Sequence, residues 1–286
     1  EYDPAGRLIR HWAQHHNAQP NNSRPSVIDR RYQYDAAGRL QGIDDLRRGS
    51  LRYVYDTLDH LKAVEGYAAE QFGFDPAGNI LAGQSGSTDT APGNRLQFHG
   101  DRHFTYDARG NRVEEKRGKH GALVTRFHYN AQNQLVKVEK GGQTFAYAYD
   151  ALGRRVRKQD TFGDTEFMWN GDVLLSERRQ HIEKIYLYEP GSFRPLAFIE
   201  NNQCYFYQLN HLSTPQEMTD WDGRVVWSVR YRAYGNVLTQ DVEKVENNLR
   251  FQGQYFDEET GLHYNRFRYY DPSAGQFTQQ DPIGLL

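Results

Sequence analysis

The sequence predicts an all-β chain of repeated hairpins, and three observations predict it. A short pattern returns along the first half: Tyr or Phe, Asp or Asn, two variable residues, Gly, a variable residue, and a close on Leu, Ile or Val. Residues entering and leaving each copy alternate between apolar and polar, the period of two that a half-buried strand needs. Proline and glycine fall within the copies, and no stretch longer than a few residues keeps a helical period.

In order, the copies are YDPAGRL at Tyr2, YDAAGRL at Tyr34, YDTLDHL at Tyr55, FDPAGNI at Phe74, YDARGNRV at Tyr106, YNAQNQL at Tyr129 and YDALGRRV at Tyr149. Each has the chemistry of a tight turn. Asp or Asn bonds its side chain to the backbone two residues on, Pro or Ala suits the next position, and Gly takes a left-handed backbone that most side chains resist. Gly6, Gly38, Gly78, Gly110 and Gly153 are the expected turn glycines; Asp59 and Asn133 replace glycine in two copies, and both residue types tolerate that conformation. Strands enter the turns as RYQYD, LRYVYD, RHFTYD, TRFHYN and TFAYAYD, and leave as RLQGI, HLKAVEG, NRVEEK, QLVKVEK and RRVRKQ. The glycine-equivalent positions lie 32, 21, 19, 32, 23 and 20 residues apart, a unit of about twenty with two insertions. One hairpin per unit predicts a long curved or spiralling sheet in which each repeat covers its neighbour's edge.

Composition narrows the function. Mean hydropathy is -0.88 and 37% of the 286 residues are apolar, yet 14% are aromatic, with 20 Tyr. That balance predicts a sheet wetted on both faces, where Tyr packs and still tolerates water. Disorder is excluded by the aromatics and by near-neutrality, 35 basic against 37 acidic residues. A net charge of -2 also argues against a nucleic-acid partner. The single cysteine, Cys204, precludes an intrachain disulfide and reads as a strand residue in QCYFYQL. No apolar run approaches the ~20 residues of a membrane-spanning helix. The chain opens inside a repeat and reads as a piece of something longer.

Candidate chemistry gathers near the end. Asp257, Glu258 and Glu259 in FDEETG read as a turn with an exposed acidic tip, Asp271 in YYDPSAG as another turn, and Asp281, on its own residues, as a turn aspartate before proline. Arg266 and Arg268 either pair with these carboxylates or face outward, and Tyr269 and Tyr270 lie on opposite faces of their strand. His11, His15 and His16 lack partners at a metal-binding spacing and read as an insertion loop, so no metal site is expected. Residues 83–94 read as a flexible loop without a nucleophile elbow. No glycine-rich loop precedes a helix, and no cofactor is expected.

The ordered YDxxGRL units resemble the YD repeats of Rhs proteins, relatives of the C components of insecticidal toxin complexes and, more distantly, of the teneurins. HLSTPQEMTDWDGRVVWSVRYRAYGNV at 211–237 and FRYYDPSAGQFTQQDPIGL at 267–285 are similar to the C-terminal part of an Rhs core. The resemblance implies a division into a YD-repeat shell, 1–210, and a C-terminal core region, 211–286. It implies a hollow β-cocoon around a variable C-terminal toxin, made in the bacterial cytoplasm and exported or delivered to rival bacteria, often by a type VI apparatus. The implied partners are that toxin, the N-terminal remainder of the protein and the secretion apparatus. In the family the core ends with two DPxGL motifs, whose aspartates form an aspartyl-protease-like pair that cuts the chain and frees the toxin. Only one motif, Asp281 to Leu285, is present here, so the resemblance assigns Asp281 half of that pair, with Arg268 and Asp271 as possible support. Two close carboxylates share a proton, one acting as acid and the other as base on water; Asp281 alone lacks that neighbour, and the fragment by itself is expected to be inactive. Two other classes stand beside this reading: a surface adhesin or carbohydrate-binding repeat array, and a hydrolase built on the acidic C-terminal hairpins.

Overall fold

The computed structural model describes residues 1–14, 27–81, 88–91 and 94–281. Among them, regular structure is antiparallel β apart from one 3-10 turn, Lys119–Gly121. Each repeat closes the same way. In the first, the Gly6 N–H donates to the Asp3 carbonyl at 2.9 Å and the Asp3 N–H to the Arg7 carbonyl at 3.0 Å. The Asp3 carboxylate accepts from the backbone of Ala5 and Arg7 and from Arg7 Nε. Gly6, Gly38, Gly78, Gly110 and Gly153 have φ between +76° and +85°.

Asp59 and Asn133 occupy the same left-handed position, with φ 66° and 59°, and their side chains have a use glycine lacks. Arg39 donates to Asp59 Oδ1, and Asn111 Nδ2 donates to Asn133 Oδ1 at 3.1 Å. Each bond runs from one turn to the next.

A second set of bonds explains the tyrosines. Tyr34 donates its hydroxyl to the Leu8 carbonyl at 2.9 Å, Tyr55 to Leu40 at 2.9 Å, Tyr129 to Arg112 at 3.0 Å and Tyr149 to Leu135 at 2.8 Å. The first residue of one repeat thus ties to the seventh residue of an earlier one. Burial of Tyr129 and Tyr149 pushes both phenols above their ordinary pKa, so they act as neutral donors.

The chain divides into two compact units. The first comprises Glu1–Phe72 and Leu187–Asn247, and the expected boundary at 210/211 lies inside it. Its N-terminal part forms a six-stranded antiparallel sheet, Arg10–Ala13 to Glu70–Gln71, in sequence order. Tyr32, Leu40, Ile43, Leu51, Val64 and Ala68 make its core, with Ala233 and Leu238 packed against them. Arg30, buried, donates to Asp45 at 2.8 Å and to Glu217 at 2.7 Å.

The second unit comprises Gly73–Tyr186 and Asn248–Leu286. From Thr88–Ala91 to Val173–Arg179 its strands pair antiparallel in sequence order. A four-stranded sheet follows: Tyr255–Asp257, Leu262–Asn265, Arg268–Asp271 and Gln276–Phe277.

Several expectations need correction. Both faces of the sheet are not wetted: Leu135, Val138, Phe145 and Tyr147 are buried on one face. Low hydropathy persists because polar side chains, bonded or paired, share that interior. His11 lies in the strand Arg10–Ala13, not in a loop, and its ring bonds the Leu209 carbonyl and Gln208, each at 3.0 Å; His15 and His16 lie outside the described residues. Part of 83–94 is a strand, Thr88–Ala91, which pairs with Arg95–His99; residues 83–87, 92 and 93 lie outside the described residues. Cys204 is in the strand Gln203–Leu209.

Candidate functional site

Two repeats break the pattern at the seventh position. Where Leu8, Leu40, Leu61, Ile80 and Leu135 stand, the repeats at Tyr106 and Tyr149 carry Arg112 and Arg155. The chain geometry is unchanged, since Tyr106 pairs with Arg112 and Tyr149 with Arg155 as Tyr34 does with Leu40. Both arginines are 1% exposed. A buried guanidinium is costly without a partner, and the C-terminal sheet supplies one for each.

Arg155 grips Asp257 with both terminal nitrogens, at 2.5 and 2.8 Å. Its guanidinium lies 4.4 Å from the Tyr264 ring centre and 5.0 Å from that of Phe167. The Arg155 N–H donates to the Tyr264 hydroxyl at 2.8 Å. Glu259 joins from the following turn, accepting from Tyr147 at 2.7 Å and Lys158 at 3.2 Å. Burial, then the neighbouring Asp257 charge, pushes the Glu259 carboxyl up. The expected exposed acidic tip is therefore wrong for two of its three residues. Asp257 is fully buried and Glu259 nearly so, and only Glu258 faces solvent.

Asp271 is the second anchor. Arg102 and Arg112 both reach its Oδ2 at 2.7 Å, and Arg112 stacks 3.9 Å from the Phe104 ring centre. Burial raises the Asp271 carboxyl, but Arg112 and Arg102 outweigh it and hold the group well below the usual carboxylate range. The Asp271 side chain also turns the chain, accepting from the Ser273 N–H at 3.1 Å.

Beyond Asp271 the chain passes along the turns. Gln276 Nε2 donates to Asn79 Oδ1 at 2.5 Å. The Arg112 N–H donates to the Thr278 carbonyl at 3.2 Å. Gln279 Nε2 donates to the Asn133 carbonyl at 2.6 Å, while its Oε1 accepts from the Tyr269 N–H at 3.2 Å. Gln280 lies over Gly110, where a β-carbon would come 3.0 Å from its Cδ. Asp281 follows, half-exposed, with Arg268 Nη1 3.1 Å from its Oδ2. Arg268 is itself held flat, 3.8 Å over the Phe277 ring. Arg268 and Asp281 are thus brought together, whereas Asp271 serves Arg102 and Arg112. Tyr269 is buried and Tyr270 half-buried, as their alternation along the strand requires.

The family model for the teneurin YD-shell matches residues 13–284. The chain belongs to this family. Among curated relatives of the YD-shell chain, a double-stranded DNA deaminase toxin A of Burkholderia cenocepacia is 34% identical over 99% of the chain and 22% of its own length. A probable deoxyribonuclease, RhsB, of Dickeya dadantii is 28% identical over all of the chain and 21% of its own length. The chain thus spans about a fifth of each. Among solved structures, the TcdB2-TccC3-TEV crystal structure superposes with a TM-score of 0.64 at 18% identity, over 99% of this chain and 17% of that one. The shared fold is the YD shell's.

Sequence reasoning missed Arg102, Arg112, Arg155 and Gln279. For two of them a signal was present: the YD-shell repeat spells Leu, Ile or Val at its seventh position, and a charged residue at a buried position implies a buried partner elsewhere. Arg102 and Gln279 carry no such mark, because arginine and glutamine are ordinary on strands and tails.

Proposed function

We propose that this chain is the C-terminal part of the shell of an Rhs-type polymorphic toxin, which encloses the toxin domain that follows it and ends at the junction where that toxin is released. The observation that carries the reading is the pair of relatives. A protein named for DNA deamination and one named for deoxyribonuclease activity share this same stretch, about a fifth of each. A segment common to two chemistries is a scaffold, and the chemistry lies outside it. The interior of the second unit agrees, since its carboxylates are occupied by arginine, lysine and tyrosine partners and leave no free acid–base pair at Asp257 or Asp271.

In this reading Asp281 is one of two aspartates that cut the chain, and the second lies further along the parent protein. Arg268, whose Nη1 lies 3.1 Å from the Asp281 carboxylate, is the residue that orients Asp281 in this reading. The toxin, the N-terminal remainder of the protein and a type VI apparatus are the partners this implies, with export from the cell that makes it.

The test is Asp281→Asn in the full-length parent. Its expected outcome is an intact, soluble protein that migrates as one unprocessed band and retains protease-resistant shell. Release of the C-terminal domain at the normal rate overturns the reading.

A further inference from the structure

We infer that Gln279 is a positioning residue for the junction, setting where Asp281 lies relative to the YD turns. The inference rests on the proposed role of Asp281. Its own ground is that three successive residues before Asp281 are each held against the fold. The Thr278 carbonyl accepts from the Arg112 N–H, and the Thr278 N–H donates to the Tyr269 carbonyl at 2.8 Å. Gln279 bridges the Tyr269 N–H and the Asn133 carbonyl. Gln280 lies against Gly110.

Gln279 joins two elements through one buried side chain, whereas the buried Thr278 hydroxyl donates to the Tyr269 carbonyl at 3.2 Å. Gln279 is 7% exposed, and both ends of its amide are used in the sense its chemistry allows, oxygen accepting and nitrogen donating. Tyr269 belongs to the strand that also carries Arg268, the residue paired with Asp281. Asn133 closes the turn of a neighbouring repeat. The amide therefore ties the Asp281 tail at once to the strand bearing its cationic partner and to the repeat array. A tail fixed at 279 leaves a single residue, Gln280, between that tie and Asp281. Catalytic groups misplaced by about 1 Å lose on the order of a hundredfold in rate, so loosening this tie slows self-cleavage without removing any reacting group.

The experiment compares Gln279→Met with Gln276→Met in the full-length parent. Each deletes an amide that bonds a YD turn, at nearly constant volume, but Gln276 lies five positions before Asp281 and contacts Asn79. Processing is followed on gels after synthesis, recording both the rate and the final fraction cut. The expected result is that Gln279→Met slows cleavage about tenfold or more, still proceeding to completion, while Gln276→Met cuts at close to the normal rate. A merely structural role moves the final fraction instead, because misfolded molecules never cut, and that pattern overturns the inference. Equal slowing in both variants also overturns it. Normal cutting by Asp281→Asn would instead refute the underlying functional reading, so the two failures are separable.

Discussion

At the scale of the residue, the Arg112 and Asp271 pair shows how a repeat protein fixes a segment that is not a repeat. Hydrophobic burial alone is non-directional and would let the C-terminal sheet slide along an array of similar leucine positions. A guanidinium at one such position, answered by a buried carboxylate, permits a single register, and Arg155 with Asp257 repeats the device. Removing one member of a buried pair strands the other, at about 3–5 kcal/mol. Asp271→Ala strands two arginines, Arg102 and Arg112, and is expected to cost at least that much. Arg112→Leu restores the residue other repeats carry and leaves Asp271 with Arg102, so it is expected to cost distinctly less. Chemical denaturation of both variants checks the order; equal costs would show that Arg102 does not hold Asp271 alone.

At the scale of the element, the YD turn serves two purposes that its sequence does not separate. Gly6 and Gly153 share the left-handed conformation, but a β-carbon on Gly6 meets nothing within 4 Å, whereas one on Gly153 comes 2.9 Å from the Phe267 ring. Gly6→Ala is expected to cost about 1 kcal/mol for the backbone alone. Gly153→Ala is expected to cost more, and Phe267→Ala in the same chain to return the excess; a double-mutant cycle measures that coupling directly. The turns were legible because Asp, Gly and the flanking alternation are local. The same geometry also closes four turns that the pattern did not mark, pairing Leu209 with Pro215, Thr219 with Val225, Tyr231 with Val237 and Leu249 with Tyr255. They escaped notice because Thr, Leu or Arg replaces the Tyr-Asp opening, while backbone bonds such as Arg250 N–H to the Gln254 carbonyl still form the loop. What the C-terminal sheet covers was not legible at all. Asp257 and Asp271 sit in turn-like spellings, and nothing local distinguishes a turn aspartate in water from one under an arginine about a hundred residues or more away.

At the scale of the whole molecule, the buried charges and histidines fix how the chain meets acid. Burial lowers His11, His99, His211 and His263, helped at His263 by Arg250, and takes His211 to about 4 and His263 to about 3. A histidine whose folded pKa lies below its unfolded value of about 6.5 binds its proton more readily when unfolded, so stability falls as pH drops from about 6.5 towards the folded pKa. The carboxylates act lower down. Asp271, Asp45 and the turn aspartates Asp3 and Asp35 are all held below their ordinary value, so their stabilisation is complete above about pH 4 and is lost as pH falls through their folded pKa. The histidines occur in both units, and the two groups titrate in succession. The melting temperature is therefore expected to be level above about pH 7, to decline gradually from about pH 6.5, and to drop more steeply below about pH 4. His263 is buried, bonds Gln254 at 2.7 Å and lies 5.9 Å from the ring centres of Phe256 and Tyr270, so burial disfavours an imidazolium there. His263→Gln, which has no group to protonate in this range, is expected to flatten the upper part of the decline and leave the lower part unchanged. Thermal melts followed by circular dichroism across this range read both; an unaltered slope between about pH 6.5 and 4 in that variant would mean His263 is not held neutral by the fold.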